Sequence, residues 1–229
     1  MKRNIYKVYN IGLYSLFIDT MAKLTEEYKV DAVFLKESWK PLTYLDIQKL
    51  SGKKSKGFIY KALRHLIDSK TIIPERIGKR NIIYHPNLSL ASVQSYLGYL
   101  HEYASWTNKQ IPLQIIENLR AKMPTPFFTL IVTGSYAKGK QHKKSDLDVV
   151  ILCEDSFSPQ KITAELGHIS DTSIPSVHLY SFTKKQFLEM LLSEKQNYGK
   201  EIAKNCLIFY GGAAYYSILH EAIKYGFKG

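Results

Sequence analysis

Residues 127–151 read FFTLIVTGSYAKGKQHKKSDLDVVI, and the parts of this string constrain one another. FFTLIVT is a continuous apolar, β-prone run, which predicts a buried strand. Gly134-Ser135 ends it in a tight turn. A loop carrying Lys138, Gly139, Lys140, Lys143 and Lys144 follows, and SDLDVVILC opens a second buried strand. Alternate residues of a strand share a face. Asp146 and Asp148 therefore project together, while Leu147 and Val149 turn into the core. Two carboxylates side by side at the mouth of an apolar strand repel each other. A hard divalent cation removes that repulsion, and Mg²⁺ takes its oxygens from one or two carboxylates and from substrate phosphates. Gly134 lets the backbone approach a triphosphate closely, and Ser135 offers a hydroxyl to its terminal phosphates. The lysines add positive potential.

This constellation closely resembles the minimal nucleotidyltransferase domain of the DNA polymerase β-type superfamily. The pattern there is a strand, Gly-Ser, a loop of about ten residues, then Asp-x-Asp on the next strand. Here ten residues, Tyr136 to Ser145, separate Ser135 from Asp146. The fuller form, Gly-Ser-x-Ala-x-Gly followed by Ser-Asp-hydrophobic-Asp, is matched by Gly134, Ser135, Ala137, Gly139, Ser145, Asp146, Leu147 and Asp148. The likeness covers about residues 110–215, with GKEIAKNCLIFYGG as the terminal helix-strand element. It implies an α/β domain with a mixed sheet and a nucleotidyl group transferred from an NTP, ATP first, to an unnamed acceptor. It implies one or two Mg²⁺ ions on Asp146 and Asp148, and nucleotide held by Gly134, Ser135, Lys138, Lys144 and Ser145. An acceptor hydroxyl would attack the α-phosphorus in line and pyrophosphate would leave.

One departure from that pattern matters. Active members usually carry a third carboxylate on a later strand. The corresponding run here is SIPSVHLYSF, residues 173–182. Alternation puts Val177 and Leu179 in the core and Ser176, His178 and Tyr180 on the other face, with no acid among them. His178 stands where the third carboxylate is expected, as a base, a ligand or a hydrogen-bonded strand histidine. Two readings follow: a transferase using Asp146, Asp148 and His178, or a nucleotide sensor without chemistry.

The rest of the chain adds a second module. The protein has 229 residues and a net charge of +12, and 20 basic against 10 acidic residues fall in residues 1–125, leaving +2 for the remainder. Such asymmetry points to a polyanion partner. Within this half, EEYKVDAVFLKE (26–37) has helix-compatible apolar spacing, and Pro41 stops it. Thr43 caps YLDIQKLSG, whose apolar face is read as Leu42, Leu45, Ile47 and Leu50 and whose end is Gly52. Ser55 opens SKGFIYKALRHLIDSK, where Ile59, Ala62, Leu63, Leu66 and Ile67 form one buried stripe. Thr71–Ile73 and Ile82–Tyr84 then flank a polar segment and read as a β-hairpin.

This order over residues 26–87 resembles a winged helix-turn-helix domain. The resemblance implies DNA contact through Lys53, Lys54, Ser55, Lys56, Tyr60, Lys61, Arg64, Arg76, Lys79 and Arg80, by phosphate neutralisation and groove docking. The aromatic-rich residues 1–25 read as a helix that is either extra core or a homodimer contact. The expected organisation is α+β: residues 1–87 a winged helix-turn-helix with an N-terminal helical extension, 88–109 a linker helix, and 110–229 the nucleotidyltransferase-like domain. A DNA-binding regulator with a nucleotide-sensing domain is the alternative to the enzyme, and an RNA or tRNA nucleotidyltransferase a weaker one.

The longest uncharged stretch near the start, Val8 to Ile18, is about half of what a membrane span needs, so neither a membrane partner nor a secretory signal is expected. Cys153 and Cys206 make neither a disulfide framework nor a closed zinc site, which points to the reducing cytoplasm.

Overall fold

The computed structural model describes Glu26, residues 28–79 and residues 81–229. The reading of residues 1–25 and of Arg80 lies outside the described residues.

The segment expected as one helix over 26–37 divides. Helix α1 (Tyr28–Asp31) runs into a 3-10 turn (Ala32–Phe34), and Val30, Val33 and Phe34 are buried. A two-residue strand, β1 (Leu42–Thr43), leads into α2 (Tyr44–Ser51). Thr43 and Asp46 form a reciprocal capping box there, and Gly52 closes the helix in the left-handed conformation. Only Ile47 of the expected apolar face is fully buried. Leu45 is 71% and Leu50 56% exposed, so the stripe read for α2 was too wide. A helix of eight residues has room for about two turns, and one inward residue per turn suffices to seat it.

Helix α3 (Lys56–Asp68) starts at Ser55, whose hydroxyl accepts from Phe58 N at 3.3 Å. It buries Ile59, Ala62, Leu63 and Leu66, as its 3.6-residue period requires. Strands β2 (Ile72–Ile77) and β3 (Asn81–Pro86) pair antiparallel, and β1 joins β3, giving a three-stranded sheet in the order β1-β3-β2. Helices and sheet share one core of Val30, Phe34, Ile47, Ile59, Leu63, Ile72 and Tyr84.

Helix α4 (Ala91–Trp106) falls within the segment expected as a linker, and it is a core helix. Val93, Leu97 and Leu100 of its apolar stripe pack in the larger core, where the helix lies against α10 (Gly212–Lys224). Helix α5 (Leu113–Ala121) follows Pro112. Next come β4 (Phe128–Val132), a helical turn α6 (Gly134–Ala137), β5 (Leu147–Cys153), α7 (Pro159–Thr172), β6 (Val177–Thr183), α8 (Lys184–Leu192), α9 (Tyr198–Lys204) and β7 (Leu207–Tyr210). The sheet order is β6-β5-β4-β7. β5 and β6 are parallel and the other pairs antiparallel, so the sheet is mixed. Parallel neighbours need a crossover, and α7 supplies it.

Alternation along β5 separates two cores. Leu147, Val149, Ile151 and Cys153 face α5 and α7, whereas Val150 and Leu152 face α4, α8, α9 and α10. Asp148 shares the latter face, one step before the apolar run begins. The N-terminal segment is stitched to this body. Tyr96 donates to the Asp31 carboxylate, Tyr28 meets Tyr103 edge-on at 5.3 Å, and Trp39 meets Phe227 at 5.0 Å.

Candidate active site

The site forms where β4 ends and β5 begins. Thr133 N donates to Asp148 O at 2.9 Å, which closes the ladder at this point. Gly134 then turns with φ +66°, a conformation that costs a residue with a Cβ about 1–2 kcal/mol. Space makes the requirement stricter. A Cβ on Gly134 would overlap Asp148 Oδ2 and sit 2.9 Å from its Cγ. The carboxylate of Asp148 thus lies against bare backbone, and glycine is what allows it.

The loop to Asp146 is tied internally. Lys140 N donates to Ser135 O at 2.9 Å, and Lys138 N to Gly134 O at 3.2 Å. Ser145 is buried; its hydroxyl accepts from His142 N at 2.9 Å, and Ser145 N returns a bond to His142 O at 2.9 Å. His142 Nδ1 accepts from Lys144 N at 3.2 Å. Ser145 and His142 therefore brace the loop, while Lys138 and Lys144 stay exposed on it and Ser135 is half-buried.

Strand β6 completes the site. Its register sets His178 opposite Asp148 and Val177 opposite Leu147. His178 Nε2 is 3.6 Å from Asp146 Oδ2, and its Nδ1 is 3.6 Å from Asp148 Oδ1. The ring bridges the two carboxylates, with both nitrogens turned to them. Ser176 adds what the sequence reading missed: its hydroxyl donates to Asp146 Oδ1, while its carbonyl accepts from Leu147 N at 2.8 Å. Its place two residues before His178 on the same face was the available signal.

The site is open. The side chains of His178, Asp146 and Asp148 are 56, 42 and 27% exposed. Two cavities of about 360 and 450 Å³ lie elsewhere, both lined by Pro126, Phe128 and Tyr210. Among the described residues, no group of three or more His, Cys, Asp and Glu side chains is arranged to hold a metal ion by itself. The two carboxylates nevertheless fit Mg²⁺, because that ion needs one or two of them and takes its remaining oxygens from phosphate and water. Their shared face, their exposure and the Gly134 cradle leave room for such a complex.

Of the other sequence-derived positions, Lys54, Ser55, Lys56, Tyr60, Lys61 and Arg64 are exposed at the start and along one face of α3, and Arg76 and Lys79 on the hairpin. Lys53 is half-buried, paired with Glu26 and set 5.1 Å over the Phe58 ring. Tyr60 stacks on Tyr44 at 4.8 Å. Cys153 is buried in the core, and desolvation pushes its thiol pKa up, as an inert cysteine requires.

The paired acids and the glycine turn both fall within a segment that resembles a known family. Residues 112–209 match the family model described as a nucleotidyltransferase domain. That match supports nucleotidyl transfer as the general chemistry, with a nucleotide as substrate. No curated protein matches the chain. A solved structure described as the crystal structure of a toxin-antitoxin with AMP-PNP is 17% identical, covering 50% of this chain and 86% of that one, with a TM-score of 0.33. Among the described residues, no helix is long and apolar enough to cross a membrane.

Proposed function

We propose that the protein is a Mg²⁺-dependent nucleotidyltransferase, ATP its first candidate donor, in which Asp146 and Asp148 hold the metal. The close seating of the Asp148 carboxylate on Gly134 carries this reading, since it fixes one acid beside a backbone turn that a triphosphate can approach. Bound Mg²⁺ supplies charge neutralisation of the phosphates. The chain's own residues do the rest. Ser176 orients Asp146, Gly134 and Ser135 receive the phosphates, and Lys138 and Lys144 add positive potential over the loop. The acceptor oxygen forms a bond to the α-phosphorus as the bond to pyrophosphate breaks, and His178 takes the acceptor's proton.

In this proposal residues 1–87 are the DNA-binding unit, a winged helix-turn-helix over 26–87 preceded by an N-terminal extension, 88–109 the linking helix and 110–229 the transferase domain. The succession of α2, α3 and a three-stranded antiparallel sheet supports the first assignment, as does the exposed row Lys56, Tyr60, Lys61 and Arg64. A second reading, nucleotide sensing without transfer, is favoured by one observation: His178, not a third carboxylate, faces Asp146 and Asp148.

Incubation with labelled ATP, Mg²⁺ and protein, DNA or tRNA acceptors tests both. Label transfer that Asp146→Ala and Asp148→Ala abolish establishes the enzyme. Binding of Mg-ATP by wild type without transfer to any acceptor leaves the sensor.

A further inference from the structure

An unexplained hydroxyl lies over the sheet face that also carries Asp148 and His178. Tyr198 opens α9, where Asn197 caps the helix by accepting from Lys200 N at 3.1 Å. Asn197 is itself anchored, donating from Nδ2 to Met190 O at 2.7 Å and to Lys195 O at 3.1 Å. Gly199 sits so close that an added Cβ would be 2.5 Å from Met190 Cβ. The start of α9 is therefore held on both sides, and the Tyr198 ring with it. That ring packs on Tyr180 at 5.0 Å and Phe182 at 6.3 Å. Tyr180 lies two residues beyond His178 on the same face of β6, and His178 is the register partner of Asp148.

The Tyr198 hydroxyl is buried and has no hydrogen-bond partner among the described residues. Such a group costs stability and calls for an explanation. Burial, and after it the charge of Asp148, hold its pKa well above the ordinary value, with Tyr180 and Glu201 adding to the shift. It is thus a phenol that keeps its proton, with that proton uncommitted. Asp148 meanwhile has Oδ1 facing His178 and Oδ2 against Gly134.

We infer that Tyr198 is a positioning residue for Asp148: in the nucleotide-bound state its hydroxyl donates to the Asp148 carboxylate and holds it away from His178. The inference rests on the proposed function, because it gives the unpaired hydroxyl a partner when the metal site is assembled. It assigns the residue to metal affinity and not to folding.

The test is calorimetric titration of Mg²⁺ into the full chain saturated with a non-hydrolysable ATP analogue, comparing wild type, Tyr198→Phe and Tyr180→Phe. Tyr198→Phe keeps the ring. Its ligand-free unfolding midpoint is expected to equal or exceed that of wild type, since no hydrogen bond is lost. Its Mg²⁺ affinity is expected to fall about tenfold, the scale of one hydrogen bond to a charged acceptor, with nucleotide affinity in EDTA unchanged. Tyr180→Phe is expected to match wild type. Equal Mg²⁺ affinity in Tyr198→Phe and wild type overturns the inference and leaves the functional reading intact. An equal loss with and without Mg²⁺ also overturns it, by assigning the hydroxyl to the nucleotide. Wild type that takes up neither nucleotide nor Mg²⁺ removes the functional reading and this inference together.

Discussion

Asp148 and His178 stand opposite each other across β5 and β6, with Oδ1 and Nδ1 3.6 Å apart, and the same ring reaches Asp146 through its other nitrogen. A histidine in this place gives the pair of acids a neutral or cationic neighbour where a third acid would add repulsion. His178→Asp therefore separates folding from metal binding. Three clustered carboxylates are expected to lower the ligand-free unfolding midpoint, and added Mg²⁺ to restore it by more than in wild type. Thermal unfolding across a Mg²⁺ series reads both, and an unchanged Mg²⁺ response would sink the prediction.

Gly134→Ala carries a conformational cost and a steric overlap, and the overlap is relieved by displacing the Asp148 side chain rather than the backbone. The left-handed backbone costs about 1–2 kcal/mol with a Cβ present, and that Cβ overlaps the Asp148 carboxylate. The expected result is a stability loss of about that size, together with a drop in transfer of about a hundredfold or more as the acid is displaced. Gly139→Ala is the control, since φ there is +63° with nothing near the added Cβ. It should lose similar stability and keep transfer within a few fold. Denaturant melts and labelled-ATP assays distinguish the two.

His101 makes stability depend on pH. It is buried, its Nε2 lies 3.1 Å from the Cys206 carbonyl and its Nδ1 3.2 Å from the Tyr216 hydroxyl. A carbonyl only accepts, so Nε2 carries the hydrogen and Nδ1 accepts from Tyr216. Burial pushes the imidazole pKa down to about 4 from 6.5. The unfolded chain then binds a proton that the native chain refuses. Stability from this group is complete above about pH 6.5 and is lost as pH falls toward about 4, by roughly 3 kcal/mol. Urea midpoints at pH 7.5, 5.5 and 4.5 should show that slope, and His101→Gln should flatten it.

The basic face of α3 gives a salt-dependent prediction. Each phosphate contact contributes about one unit to the slope of log K against log salt. Lys56→Ala with Arg64→Ala should weaken duplex DNA binding and reduce that slope by about two. Leu45→Ser, at an exposed position outside the basic row, should change neither. Binding of tRNA in preference to duplex DNA at every salt would contradict the DNA reading of this face.

Much of the larger unit was legible in the chain. FFTLIVT and SDLDVVILC are apolar on both faces because both faces of β4 and β5 are covered, and period-two alternation sets Asp146 and Asp148 together. Helix α3 was equally plain, since a 3.6-residue stripe has few alternatives. The exposure of Leu45 and Leu50 was not, because a short helix has too few turns for its pattern to say which apolar residues find a partner.

Local order dictated the strand, the glycine turn, the two acids and the cap residues, for these depend on neighbours a few positions away. What surrounds the acids depended on the fold. Ser176 lies 30 positions from Asp146, and Tyr198 is carried to the same face on a separate helix. Parallel pairing of β5 with β6 brings Ser176 and His178 to the acids, and no short-range pattern encodes the register of strands joined by a crossover helix.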